Sequence, residues 1–405
     1  MRIRNLLVPA ATIVTLGACA ATPPNVFRDT ATFPTGRYPV ALVVGDFNGD
    51  GKPDLAVSNS RGGGSVQVLV GGGDGAMLPG PEYTTGSVPA GLAAGDLNGD
   101  GKTDVVVARY GGGLAVLLSG ESGFHLAALQ STGDPRAIAI ADVNGDGKLD
   151  LAVTNCGPGS NGAVDYRHGD VAVLLGKGDG RFDSARMVAE SDHPDSIIAG
   201  DFNGDGKADL VFTDSVWSSV NVALGNGDGT FRQLERVRAG FDGPAIFIGQ
   251  GTEPALRTGS ITLAAGDFDK DGKLDLAVGH TGVGVLLGNG DGTFREIVQY
   301  PAGGGAAVAV GDWNGDGVLD IASGASVLFG RGDGRFDGAA RYHAGVGANA
   351  VAVADFNADG RPDLAVANLG SGSVSLLLAR AAAAAAPAPV ESAPAPSADP
   401  RIDDK

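Results

Sequence analysis

The sequence predicts an all-β fold: a seven-bladed β-propeller of four-stranded blades, closed by an N-terminal strand in the last blade. Three observations predict it. One string of ten residues recurs seven times along the chain. The apolar runs around each copy are short and rich in Val, Leu and Ala, as buried strands are. Glycine takes 68 of the 405 positions, far above its usual share of about 7%. A mainly helical chain would not carry so much, because each interior glycine costs about 1 kcal/mol relative to alanine.

The string reads Asp46-Phe-Asn48-Gly-Asp50-Gly51-Lys52-Pro-Asp54-Leu and begins again at Asp96, Asp142, Asp201, Asp267, Asp312 and Asp355. An apolar run such as Ala41–Val44 precedes each copy, and another such as Leu55–Val57 follows it. A third run, as at Val171–Leu175, leads into a second motif, Gly176-Lys-Gly-Asp179-Gly-Arg-Phe182. That motif returns at Gly225–Phe231, Gly288–Phe294 and Gly330–Phe336, and in degenerate form at Gly71–Met77 and Gly120–Phe124. A polar, strand-like stretch then ends the unit. Four strands per repeat make one blade. The seventh copy lacks the second motif and the fourth strand. The segment Val26–Phe33 looks like an orphan fourth strand and is expected to pair into the last blade. Residues 26–378 are therefore expected to form one domain. The tail, residues 379–405, is Ala- and Pro-rich and is expected to be disordered.

Composition excludes several classes. The chain is 43% hydrophobic, too apolar for full disorder. Its glycines follow no every-third-residue period, so it is not collagen-like. A formal net charge of −18 argues against nucleic acid as a partner, since that binding needs cations to displace counterions. Two cysteines cannot staple a fold of this size.

The repeated string is a hard-cation site, because calcium takes oxygen from carboxylates, amides and backbone carbonyls. Position 1 is Asp46, Asp96, Asp142, Asp201, Asp267, Asp312 and Asp355. Position 3 is Asn48, Asn98, Asn144, Asn203, Asp269, Asn314 and Asn357. Position 5 is Asp50, Asp100, Asp146, Asp205, Asp271, Asp316 and Asp359. Position 7 offers the main-chain carbonyl of Lys52, Lys102, Lys148, Lys207, Lys273, Val318 and Arg361. Position 9 is Asp54, Asp104, Asp150, Asp209, Asp275, Asp320 and Asp363. Up to seven Ca²⁺ are expected. An EF-hand would need a glutamate at position 12, where the first copy has Val57. Position 2 is always apolar (Phe47, Leu97, Val143, Phe202, Phe268, Trp313, Phe356) and is expected to pack between blades. These residues together resemble FG-GAP, or VCBS-type, repeats, the family that includes the propeller of integrin α subunits. The resemblance spans nearly all of residues 27–378. It implies a calcium ion held between the first two strands of a blade, and it does not imply one function.

The N-terminus is expected to direct export. Arg2 and Arg4 precede a short apolar stretch, Leu6–Leu16, which is too short to span a bilayer. Leu16-Gly17-Ala18-Cys19 resembles the lipobox of bacterial lipoproteins. That implies a signal peptide over residues 1–18, lipidation at Cys19 and a tether over residues 19–25. Ala20, rather than Asp, implies the outer membrane. Cys156 would then be the one unmodified thiol, buried and inert or free to pair with a partner.

Loops alternate between the two faces of a propeller. The carboxylate loops and the second motif fall on one face. The opposite face is expected to carry Arg37, Tyr38, Arg61, Arg109, Tyr110, Arg136, Tyr166, Arg167, His168, His193, Trp217, Arg257 and His280. Planar guanidinium groups suit anionic partners, so this face is a candidate binding surface for an acidic glycan or an acidic protein patch. The leading reading is a binding or adhesion module, monomeric and lipid-anchored, with a structural envelope role as the alternative. An enzyme is the competing class. Tyr166, Arg167 and His168 carry the groups lyase chemistry would need, but three adjacent residues cannot all face one site. Gly101-Lys102-Thr103 imitates a phosphate loop but lacks the earlier glycine, since that position is Asp96.

Overall fold

The structure is a computed structural model and describes residues 25–28, 31–121, 123–158, 164–239, 261–302 and 307–380; side chains over 164–168 and at 157–158 are not described. The described strands form seven antiparallel sheets arranged as a propeller. Blade one is built from Pro39–Gly45, Asp54–Asn59, Ser65–Gly71 and Met77–Thr84 in that spatial order. Five further blades repeat the order. In the last blade Ala348–Ala354, Asp363–Asn368 and Ser373–Leu377 are completed by the N-terminal strand Ala31–Pro34. Its register runs from Ala31 opposite Leu376 to Pro34 opposite Ser373. An isolated bridge between Phe27 and Ala379 extends the closure.

Each strand's pattern follows from its place in the blade. The second strands, such as Asp104–Arg109, are buried along their whole length, because both faces of a middle strand meet neighbouring blades. They accordingly read as continuous apolar runs. The outermost strands alternate or are mostly exposed, as in His125–Gln130. Blade four departs from the rule. Its outer strand is broken into Phe231–Gln233 and Val237–Arg238, and both pair with Ser219–Gly225.

The apolar residues gather in seven clusters, one at each seam between adjacent blades, rather than in one central core. The position-2 residue of each repeat joins the seam with the following blade. Phe47 packs with Val105 and Phe124 of blade two, and Phe268 packs with Ile321 and Phe336 of blade six. Trp313 is buried in the same role.

The second motif stitches these seams. The amides of Gly180, Gly229, Gly292 and Gly334 donate to the carbonyls of Leu97, Val143, Phe202 and Phe268, the position-2 residues of the preceding blades. Gly75 does the same to Phe356, across the point where the ring closes. Motif phenylalanines lie edge-on to the position-2 rings, with centroids 5.3 Å apart for Phe47–Phe124 and 5.4 Å for Phe268–Phe336. The seventh repeat has no such motif of its own. Phe27 takes that place. It bridges to Ala379 as Phe182 bridges to Gly176, and its ring lies 6.2 Å from Trp313 and 4.8 Å from Tyr342.

Candidate functional site

The seven carboxylate loops share one hydrogen-bond plan. In the first, Asp46 accepts at Oδ1 from the amides of Gly49 and Asp50 and at Oδ2 from Gly51. Asn48 Oδ1 accepts from the Asp50 amide, and Asp50 Oδ1 from Lys52. The chain thus wraps around its own side-chain oxygens. The wrap demands left-handed backbone: φ is +78° at Gly49 and +80° at Gly51. Lys270 and Ala358 stand at the first of these glycine positions in the fifth and seventh copies and also adopt positive φ, at +60° and +56°.

Position 9 has a second role. Asp54 Oδ2 accepts from the Phe47 amide, and Oδ1 from Gly71 at the end of the third strand. The same pair of bonds recurs at Asp104, Asp150, Asp209, Asp275, Asp320 and Asp363. All seven carboxylates are fully buried. Each therefore locks its loop to two strands of the blade, a clamp that the spacing of the sequence does not disclose.

Burial at such a site has an electrostatic consequence. Desolvation pushes the Asp320 carboxyl up to about 7 and Asp363 up to about 6, and the position-1 and position-5 carboxylates beside them add to the effect. The other five position-9 carboxyls are raised for the same reason. Ligand oxygens of Asp267, Asp269 and Asp275 lie within 4.8 Å of one another. A set of hard oxygen donors this close, with burial working against its negative charge, fits a divalent cation such as calcium. Nearby cations already lean on some loops: Lys273 reaches Asp271 at 3.1 Å, and Arg28 and Arg361 reach Asp359 at 3.2 and 2.7 Å.

On the opposite face the predicted residues separate into groups. Arg37 is exposed. Arg61 is exposed and stacks on Tyr38, 4.0 Å from the ring centroid. Arg136 lies 4.7 Å over Tyr110 and pairs with Asp134 at 3.8 Å. Arg136 and Tyr110 line a cavity of about 410 Å³ at the propeller axis, together with Asp195 and Asn349. Arg109 is turned inward. It is buried and donates to the carbonyls of Thr85 and Gly112, so it fixes loops rather than facing solvent. His280 is half-buried, and burial holds its pKa below the usual range.

His193, expected on a loop surface, is buried. Its Nε2 is 3.3 Å from Cys156 Sγ, and its Nδ1 is 3.1 Å from both Asp195 Oδ1 and Ser215 Oγ. Burial opposes its positive charge, but Asp195 and Cys156 outweigh that and raise its pKa to about 9. Cys156 is thus a buried free thiol at the seam of blades three and four. Tyr166, Arg167 and His168 fall in a strand, Val164–Leu174, rather than a loop, and their side chains lie outside the described residues. Arg257 and Cys19 also lie outside the described residues.

Trp217 is 48% exposed. Its indole nitrogen donates to Asp192, and the Arg236 guanidinium sits 4.3 Å over its ring. Neither partner stands out in the sequence. Asp192 belongs to no repeated motif, and Arg236 lies in the break of an outer strand.

A closed ring of seven blades, each carrying the same carboxylate loop, defines a repeat propeller. The profile of the FG-GAP-like repeat matches residues 46–107, 96–153, 162–212, 201–278 and 267–323, and that of the FG-GAP repeat matches 347–377. The chain therefore belongs to the FG-GAP repeat family. Curated proteins gave no match. Among solved structures, BBS1N in complex with ARL6DN, soaked with mercury, is similar with a TM-score of 0.56 and 10% identity, covering 88% of this chain and 96% of that one. The lead-soaked form of the same complex gives a TM-score of 0.57 at 10% identity, covering 88% and 98%. Identity at that level speaks for the fold alone.

Proposed function

We propose that this protein is an exported, lipid-anchored, calcium-stabilised binding module of the cell envelope, whose ligand is a protein or an acidic glycan. The observation that carries the reading is the division of the propeller into two chemically different faces. One face holds seven loops of converging carboxylate and amide oxygens. The other holds exposed Arg37, Arg61 stacked on Tyr38, and Arg136 on Tyr110 beside the axial cavity. Position 1, 3, 5 and 9 side chains and the position-7 carbonyl would hold calcium, which would supply the positive charge that the buried position-9 carboxylates lack. The loops then serve as rigid scaffold, and the opposite loops are left for recognition. Lipidation at Cys19 rests on the lipobox resemblance. A seven-residue tether reaches at most about 25 Å, which favours a calcium face turned toward the membrane.

Two measurements test this. Calcium should raise the melting temperature of the purified propeller and a chelator should lower it, since a ligand that binds only the folded state must stabilise it; an unchanged midpoint would sink the metal reading. Acidic oligosaccharides on an array should be retained by the wild type and released when Arg37, Arg61 and Arg136 are replaced together. Equal retention would remove the arginine face from the proposal.

A further inference from the structure

The seam between blades three and four opens to solvent as a cleft of about 600 Å³, a size suited to a small ligand. Met187, Ser191 and Asp192 line it from one side, and Asn221, Leu234 and Arg236 from the other. Its shape follows from the broken outer strand of blade four. Phe231–Gln233 and Val237–Arg238 pair with Ser219–Gly225 on either side of a gap; the Leu234 amide still donates to the Val222 carbonyl, and Glu235 and Arg236 bow away from the ladder. Asn221 stands opposite that gap. It faces blade three, as does Ala223 two residues on, which packs into the seam between the two blades.

Asn221 is 5% exposed, and its Nδ2 has no hydrogen-bond partner. Buried amide donors are almost always paired, so this one calls for an acceptor that the protein does not supply. The rim adds an aromatic held rigid on two sides: Trp217, bonded through its indole nitrogen to Asp192 and covered on one face by Arg236. Asp214 builds the rim rather than serving a ligand. Its two oxygens already accept from the Ser191 hydroxyl and from the amides of Asp192, Val216 and Trp217. Asp170, also at the cleft, accepts from Asn155. The groups left for recognition are the Asn221 amide donor, the Glu190 and Asp192 carboxylates, the Arg236 guanidinium and exposed Met187, with Trp217 beside them through Asp192 and Arg236.

We propose that this cleft binds a neutral sugar unit. A hydroxyl oxygen of the ring accepts from Asn221 Nδ2, and a neighbouring hydroxyl donates to Asp192. The apolar face of the ring lies against Trp217 and Met187. A ligand with many hydroxyls meets both donors and acceptors without adding charge. The lining carries the carboxylates of Asp170, Glu190, Asp192 and Asp214 against the guanidinium of Arg236, so an anionic sugar would be repelled. The inference rests on reading the propeller as a binding module and assigns a ligand class different from that of the arginine face.

The test uses the full exported domain in calcium. A neutral-glycan array identifies the best-retained tetrasaccharide, which is then titrated by tryptophan fluorescence. Trp313 is buried, so a change on titration reports Trp217. Asn221→Leu keeps roughly the same volume and removes the free donor without burying a charge; affinity should fall at least tenfold with the melting temperature retained. Met187→Arg, at a rim position 62% exposed, should weaken binding without touching the core. Arg61→Ala should change nothing. The proposal is overturned if no neutral glycan is retained, if both cleft variants bind as the wild type does, or if trigalacturonate binds as tightly as the neutral ligand. Retention of acidic glycans that depends on Arg37, Arg61 and Arg136 would leave the arginine-face reading standing while this one falls.

Discussion

Asp150 shows how one residue can hold two offices. It is placed to take part in a cation site, and it also accepts from the amides of Val143 and Gly176 at 2.9 and 2.7 Å while fully buried. Asp150→Asn would turn its new NH₂ toward a backbone donor and leave one amide unpaired, at about 1–3 kcal/mol. Urea unfolding in chelator should show that loss, whereas Asp146→Asn, at an exposed position, should show little under the same conditions. The sequence supports the ligand reading of Asp150 but not the clamp, because the partner amide at Gly176 belongs to a strand end 26 residues away. Protonation gives a second prediction. Burial raises Asp320 from 3.8 to about 7, so its favourable contribution to the metal-free fold is complete below about 3.8 and is lost as pH rises through 7. Exposed Asp146 and Asp271 shift the other way, held down by bonds to Lys148 and Lys273, so they matter only below about 3.8. The chelated protein should therefore melt lower at pH 8 than at pH 5. The increment from calcium should grow over the same interval, since the ligands must be ionised to bind. A calcium increment that shrinks from pH 5 to pH 8 would contradict this account.

At the level of the element, the second motif is a joint between blades. Gly180 adopts φ +79°, and a Cβ there would lie 2.7 Å from Leu118 Cδ1. Gly180→Ala combines a left-handed backbone penalty with overpacking at a seam, so it should cost about 1–3 kcal/mol by denaturant unfolding. Gly338→Ala, where a Cβ meets nothing, is the control. Much of this element was readable beforehand. Seven apolar position-2 residues pointed to the seams and all seven are buried there. The orphan segment before Phe33 pointed to the closing strand. What could not be read was orientation in loops. Arg109 ends the second strand of blade two and Arg61 lies two residues beyond the second strand of blade one, yet one is sealed against carbonyls and the other stacks in solvent. The contact between Cys156 and His193 joins residues 37 apart through the packing of two blades. No periodicity encodes such a meeting. The gap in the outer strand of blade four was hidden for the same reason: Glu235 and Arg236 depart from the ladder without a glycine or proline to announce it.

The whole molecule is a ring closed by one short strand. Deleting residues 1–34 should leave Ser373–Leu377 as a bare edge with unpaired main-chain groups, an edge that other chains can join. Light scattering should then report association and calorimetry a lower melting temperature; a stable monomer with the native midpoint would show that closure matters little. The two ends of the ring lie side by side, since the amide of Arg380 donates to the Val26 carbonyl and that of Arg28 to Leu378. A mechanical property follows from this closure. A load applied between the N-terminus and the loop face at the far end of the blade enters the ring at Phe27 and passes along the axis of the closing strand. The bonds to Ser373–Leu376 are then strained together in shear, not opened one after another like a zipper, so the thinnest part of the ring is also loaded in its strongest direction.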